Sequence, residues 1–321
     1  MTSKTEGAEK IVRICAGIQP GEKVLVIAEP RMLAVAAHIS AAVQNAGAAC
    51  VDITIPPREY DGQEPPAPVA AAMSASDVFL SCVYTSITHT HAVKAAVAAG
   101  ARGLVLTHWN EGMLATGGID ADFDAIAPVC RAVAAKLANA TEVILTTPQG
   151  TNLRFSASGR RGNALVGVVA PGEFSTLPTI EANVSPLEGT AEGLIVADAS
   201  IPYLGIGVLN EPVTLEVSKG YVTSVTGGPQ AEQFKTHLEN QHDPECFNVA
   251  ELGVGLNPCC HFTGFMLEDE GVEGSVHIGI GTSITLGGTI KAATHYDVIM
   301  TGATLLADGM PILVNGERGL T

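Results

Sequence analysis

Short apolar runs alternate with helix-length amphipathic stretches over the first 140 residues. Residues 8–18 read as a short helix stopped by Gly17 and Pro20-Gly21, and Val24–Ile27 as a buried strand. An Ala-rich helix then runs from Met32 to Gly47, and 49–55 is the next strand. After a Pro- and acid-rich loop at 56–67 come a helix near 69–77, a strand at 77–83, a helix at 91–101 and a strand at 103–108. Strands separated by helix-length patterns predict a parallel sheet with crossover helices. Residues 1–140 are therefore expected to form a Rossmann-like α/β domain, closed by a helix over Asp122–Ala138.

Beyond Ala140 the period shortens. Residues 142–161 read as hairpin strands, 213–228 as a hairpin about Ser218-Lys219-Gly220, and 304–313 as a hairpin over Asp308-Gly309. One helix is expected over 231–242. Residues 141–321 thus form a strand-rich α+β domain, and the fold class is α/β with this second unit added.

Composition narrows the function. Seventeen basic side chains against thirty-three acidic ones give a formal charge of −16. So negative a surface repels phosphate backbones and anionic lipid, which argues against nucleic acid or membrane partners. No apolar run approaches the length of a membrane helix, and the N-terminal segment lacks the apolar centre of a secretion signal. Seven cysteines without a CxxC pair read as reduced thiols. A cytoplasmic protein is the expectation. A nucleotide site is not expected in the first domain, because the turn after its first strand reads IAEPRMLA, not GxGxxG, and no GxxxxGK[ST] occurs.

The chemistry gathers between Val249 and Met300. Glu251 lies in an otherwise apolar strand, where a carboxylate costs several kcal/mol unless a cation or partner compensates. His277 sits inside SVHIGIG, and His295 and Asp297 can share one strand face. Glu268-Asp269-Glu270 reads as a solvated acidic turn, and His237, His242 and His261 as surface or structural. In the first domain, His89 and His91 follow the third strand, at the carboxyl edge where ligands gather in open parallel sheets. The local reading is a metal site drawn from several strand edges.

The segments TLPTIEANVSP (176–186), VTLEVSKGYVTSVTGG, AELGVGLNP, EGSVHIGIG and THYDVI occur in this order. The ordered set resembles the aminopeptidase T/S family of dinuclear metallopeptidases, and their ring-cleaving relatives, the 2,5-dihydroxypyridine 5,6-dioxygenases. The peptidase pattern implies Glu181, Glu251, His277, His295 and Asp297 as metal ligands, with Glu273 nearest to an acid/base role. The dioxygenase pattern instead implies one iron held by two histidines and an aspartate, with a histidine at the position of Glu251. Five ligand-type residues, three of them carboxylates, suit two divalent ions, zinc, manganese or cobalt. The expectation is a dinuclear metallohydrolase cleaving an amide of a small molecule or short peptide, with His89 or His91 orienting substrate. The alternative is an Fe(II)-dependent ring-cleaving dioxygenase. The resemblance also implies a homo-oligomer.

Overall fold

The computed structural model describes residues 3–59, 61–88 and 90–319. The chain forms two compact units, Met1–Ala127 with Leu165–Ile180, and Pro128–Ala164 with Glu181–Thr321. They do not follow the expected division at 140. Residues 128–140 belong with the second unit, and 165–180 return to the first. The return was hidden because its strand, Phe174–Thr176, is three residues long, too short to show a period.

In the first unit five strands form a parallel sheet in the order Ala49–Thr54, Lys23–Ala28, Val78–Val83, Arg102–Thr107, Phe174–Thr176. Helices Leu33–Asn45, Ala67–Ala75 and His91–Ala98 supply the crossovers, as the alternation predicts. The central strands Val78–Val83 and Arg102–Thr107 are buried along their whole length, which is why they read as continuous apolar runs. Phe79 is fully buried against the cross-strand partner Gly103, where a Cβ would lie 1.9 Å from the phenyl ring.

The carboxyl edge of this sheet is filled by the chain's own acids. Glu29 is buried and accepts from the backbone N–H groups of Arg58, Tyr84 and Thr85. Asp61 accepts from the N–H of Ser86, and Glu64 from those of His91 and Ala92 at a helix start. These are the donors a phosphate would use. Backbone donors and carboxylates are matched here without a glycine-rich turn.

The second unit is antiparallel. One eight-stranded sheet carries the expected hairpin Val213–Ser218/Tyr221–Thr226 at one edge and the 304–314 hairpin toward the other. A seven-stranded sheet has the order Gly207–Val208, Ser200–Ile201, His295–Met300, Val276–Gly281, Val249–Gly255, Glu181–Val184, Gly162–Leu165. The helix expected over 231–242 is present and runs Pro229–Asn240. Among the described residues no helix is long and apolar enough to cross a membrane.

Candidate metal centre

The seven-stranded sheet sorts its side chains by face. In the register, Gly253 pairs with both Asn183 and His277, Gly255 with Glu181, and Gly279 with both Glu251 and Asp297. Cross-strand partners point to the same side of a pleated sheet. One face therefore carries Glu181, Asn183, Glu251, His277, His295 and Asp297. The opposite face carries Ala182, Val184, Leu252, Val254, Ile278 and Val298, all buried. Period-two alternation in ELGVG, HIGIG and HYDV is what places the polar set on one side.

Glycines on the polar face leave room for the imidazoles. A Cβ at Gly253 would lie 2.0 Å from His277 Nε2, and one at Gly279 would lie 2.6 Å from His295 Nε2 and 2.9 Å from Glu251 Cβ.

Two groups of ligand atoms result, Glu181/Glu251/His277 and Glu251/His295/Asp297, with the atoms of each within 4.8 Å of one another. Glu251 belongs to both. His277 Nε2 lies 3.6 Å from Glu181 Oε2. His295 Nε2 lies 3.0 Å from Glu251 Oε2 and 3.4 Å from Asp297 Oδ1. His295 Nδ1 lies 2.8 Å from the Thr282 carbonyl, which can only accept, so Nδ1 carries the hydrogen and Nε2 faces the carboxylates. Asn183 donates to Glu181 Oε1 at 2.8 Å.

Burial dominates the electrostatics of the metal-free chain. It pushes Glu181 up to about 7, helped by Glu251 and opposed by His277 and Asn183. It also raises Glu251, against the pull of His295. Burial works against charge on His295, but Asp297 and Glu251 outweigh it and hold its pKa well above the usual imidazole range. Asp297 is depressed in spite of burial, because His295, His277 and the Tyr203 hydroxyl favour its anion.

The residues fit a divalent cation. Glu181 Oε2, His277 Nδ1 and Asp297 Oδ1 are buried and have no hydrogen-bond partner among the described residues. Unsatisfied buried polar atoms are costly, and those of Glu181 and Asp297 converge on the carboxylate-rich face. The set is richer in carboxylate than the two-imidazole, one-carboxylate arrangement of non-haem iron oxygenases. His277, in the neighbouring group, is the second imidazole.

Other expected site residues lie elsewhere. Glu273 is not brought into the cluster: it is exposed, and its carboxylate meets Arg318 Nε at 3.2 Å. His91 opens a helix of the first unit, capped by Thr90. His89 lies outside the described residues. The acidic turn is not solvated: Glu268, Asp269 and Glu270 are 3%, 0% and 7% exposed. Asp269 is held by the N–H groups of Thr263 and Gly264, and Glu270 by the Tyr203 hydroxyl. Tyr203, whose hydroxyl lies 2.5 Å from Asp297 Oδ2, was missed; it sits in a turn with no local sign of chemistry.

Fold and site define an α/β protein with a buried metal-type centre on an antiparallel sheet. The family follows from comparison. Residues 6–318 match the sequence model of the 2,5-dihydroxypyridine 5,6-dioxygenase (NicX) family, and the chain belongs to that family. A curated 2,5-dihydroxypyridine 5,6-dioxygenase of Pseudomonas putida KT2440 is 26% identical over 159 residues, 46% of this chain and 45% of the relative, so the alignment spans under half the relative's length. The solved 2,5-dihydroxypyridine dioxygenase of P. putida KT2440 superposes with TM-score 0.86 at 18% identity, covering 99% of this chain and 97% of that one. Wild-type AmpT from Thermus thermophilus superposes with TM-score 0.72 at 15% identity, covering 99% of each chain. At these identities the superpositions show the fold. The family match overturns the expected dinuclear metallohydrolase, aminopeptidase-like or amidohydrolase. A carboxylate-rich donor set describes affinity for a cation, not the reaction performed beside it.

Proposed function

We propose that this chain is a metal-dependent dioxygenase that opens the ring of a hydroxylated pyridine. The family match across residues 6–318 carries this reading. The donor geometry supports it, with Glu251, His295 and Asp297 as the residues that would hold one ion, iron(II) in this reading. Of the two groups, this one includes the more open imidazole: the His295 side chain is 18% exposed, against 1% for His277. A catalytic site needs such an opening. Bound there, iron(II) would supply the one-electron chemistry that dioxygen requires to react with an aromatic ring.

The chain's own residues orient and handle protons. The Thr282 carbonyl fixes the His295 tautomer with Nε2 toward the carboxylates, and Tyr203 fixes Asp297. Glu181, the further carboxylate beside this group, would take the proton of a ring hydroxyl. His277 keeps Glu181 company in the deeper half of the cluster.

The test is oxygen uptake with 2,5-dihydroxypyridine after chelation and reloading with iron(II), manganese(II) or zinc(II). The expected result is stoichiometric consumption of dioxygen with loss of ring absorbance, for the iron-loaded chain alone. Iron-loaded chain that consumes no dioxygen with this or other hydroxypyridines overturns the reading.

A further inference from the structure

Tyr203 holds Asp297, and Glu270 reaches the cluster only through Tyr203. The Tyr203 hydroxyl lies 2.5 Å from Asp297 Oδ2 and 3.0 Å from Glu270 Oε1. Both acceptors are carboxylates, and a phenol carries one hydrogen. It cannot serve both. The shorter contact marks Asp297 as the acceptor from Tyr203. The Glu270 contact then needs a hydrogen of its own, donated to the Tyr203 oxygen. Burial agrees: Glu270 is 7% exposed, and no lysine or arginine among the described residues pairs with it. An ionised carboxylate in that position would be uncompensated.

We propose that Glu270 and Tyr203 are positioning residues that act in series, Glu270 donating to Tyr203 and Tyr203 donating to Asp297 Oδ2, so that Asp297 Oδ1 is left for the metal. The geometry on the other oxygen is consistent. Asp297 Oδ1 has no hydrogen-bond partner and faces His295 Nε2 at 3.4 Å. Partners of this kind fix the orientation of a ligating carboxylate. The inference rests on the metal reading of the centre and is independent of whether the reaction is ring opening.

The test measures cobalt(II) affinity of the full chain by competition with a chelating dye, with the absorption spectrum of bound cobalt as a second readout. Tyr203→Phe should weaken binding roughly 10- to 100-fold and alter the cobalt bands. Glu270→Ala should do the same. Glu270→Gln should bind close to wild type, since the amide N–H replaces the acid O–H at the same place. The double variant Tyr203→Phe/Glu270→Ala should bind no worse than Tyr203→Phe, because Glu270 acts through Tyr203. Wild-type affinity in Tyr203→Phe overturns the proposal, as does Glu270→Gln as weak as Glu270→Ala, which would make Glu270 a working anion. Should Tyr203→Phe fail to fold, the Gln and Ala pair at 270 still decides. Wild-type chain that takes up no divalent ion overturns the metal reading itself, and the proposal with it.

Discussion

Replacing Gly279 with alanine is a one-carbon test of the metal centre. Its φ is not in the left-handed region, so the backbone accepts alanine, and in a strand the change would by itself gain about 0.5–1 kcal/mol. The new Cβ, however, would stand 2.6 Å from His295 Nε2 and Cε1, where ordinary contact begins at 3.4 Å. The imidazole must yield by the difference, 3.4 − 2.6 = 0.8 Å. Metal–ligand distances tolerate about 0.2 Å, so the movement exceeds the tolerance roughly fourfold and His295 is lost as a ligand. Glu251, whose Cβ would lie 2.9 Å away, is disturbed as well. The expected loss of affinity is at least ~100-fold, about 3 kcal/mol. Overpacking costs about 1–3 kcal/mol, offset in part by the strand gain, so the metal-free chain should melt only slightly lower. The assay is chelator competition with iron(II) and cobalt(II), with metal-free melting as the control. Gly253→Ala, which displaces His277 instead, is the matched comparison and should leave the ion in place. Unchanged affinity in Gly279→Ala, or loss in Gly253→Ala alone, would refute the assignment of the ion to Glu251, His295 and Asp297.

Glu181 gives a pH prediction. Its folded pKa is raised from 4.5 to about 7, so the protonated form is favoured in the fold. That contribution is complete below pH 4.5 and is lost as pH rises through about 7, an upper bound of roughly 3 kcal/mol. The difference in unfolding free energy between the chelated chain and its Glu181→Gln variant should therefore shift against the parent between these limits, and a flat difference would contradict the sign. In the first unit, Arg102 is 6% exposed and binds Glu22 through two nitrogens while donating to the carbonyls of Ala16 and Gly17. Arg102→Ala should cost about 1–3 kcal/mol in denaturant unfolding, because the Ala16 carbonyl loses the guanidinium as its donor and Glu22 keeps only the Gln19 N–H. A loss below ~1 kcal/mol would place that ion pair among ordinary surface pairs.

The parallel sheet was legible because its central strands, covered on both faces, are written as unbroken apolar runs between helices. The fifth strand was not, since three residues cannot display a period. In the second unit the ligand face was legible in principle. ELGVG, HIGIG and HYDV alternate acid, imidazole or glycine with apolar residues, and once the strands pair in register that alternation puts His277 on the same face as Glu251. The acidic turn misled because nothing local distinguishes a solvated Glu-Asp-Glu from a buried one. The partner that holds Glu270 lies 67 residues away in sequence, and Tyr203 is 94 residues from Asp297. Glu273 misled for the opposite reason: proximity to His277 in sequence is no guide when a strand start intervenes and the side chain turns to Arg318.

One device recurs in both units. Phe79 in the parallel sheet and His277 in the antiparallel one each lie across from a glycine whose missing Cβ is filled by the ring, and His295 fills the space over Gly279 in the same way. In the first unit the filled space is core, and a Cβ would cost packing alone. In the second a Cβ would meet an imidazole nitrogen of the metal-type cluster, at 2.0 Å over Gly253 and 2.6 Å over Gly279. Glycine, which ordinarily weakens a strand, is here the condition for placing a ring against the sheet. Raised carboxylates and unpartnered polar atoms share that face with the glycines, and a cation would reduce the cost of the carboxylates and the polar atoms. Stability and metal occupancy should therefore rise and fall together in this unit, with chelation lowering its melting temperature more than that of Gly279→Ala, in which the ion is already lost.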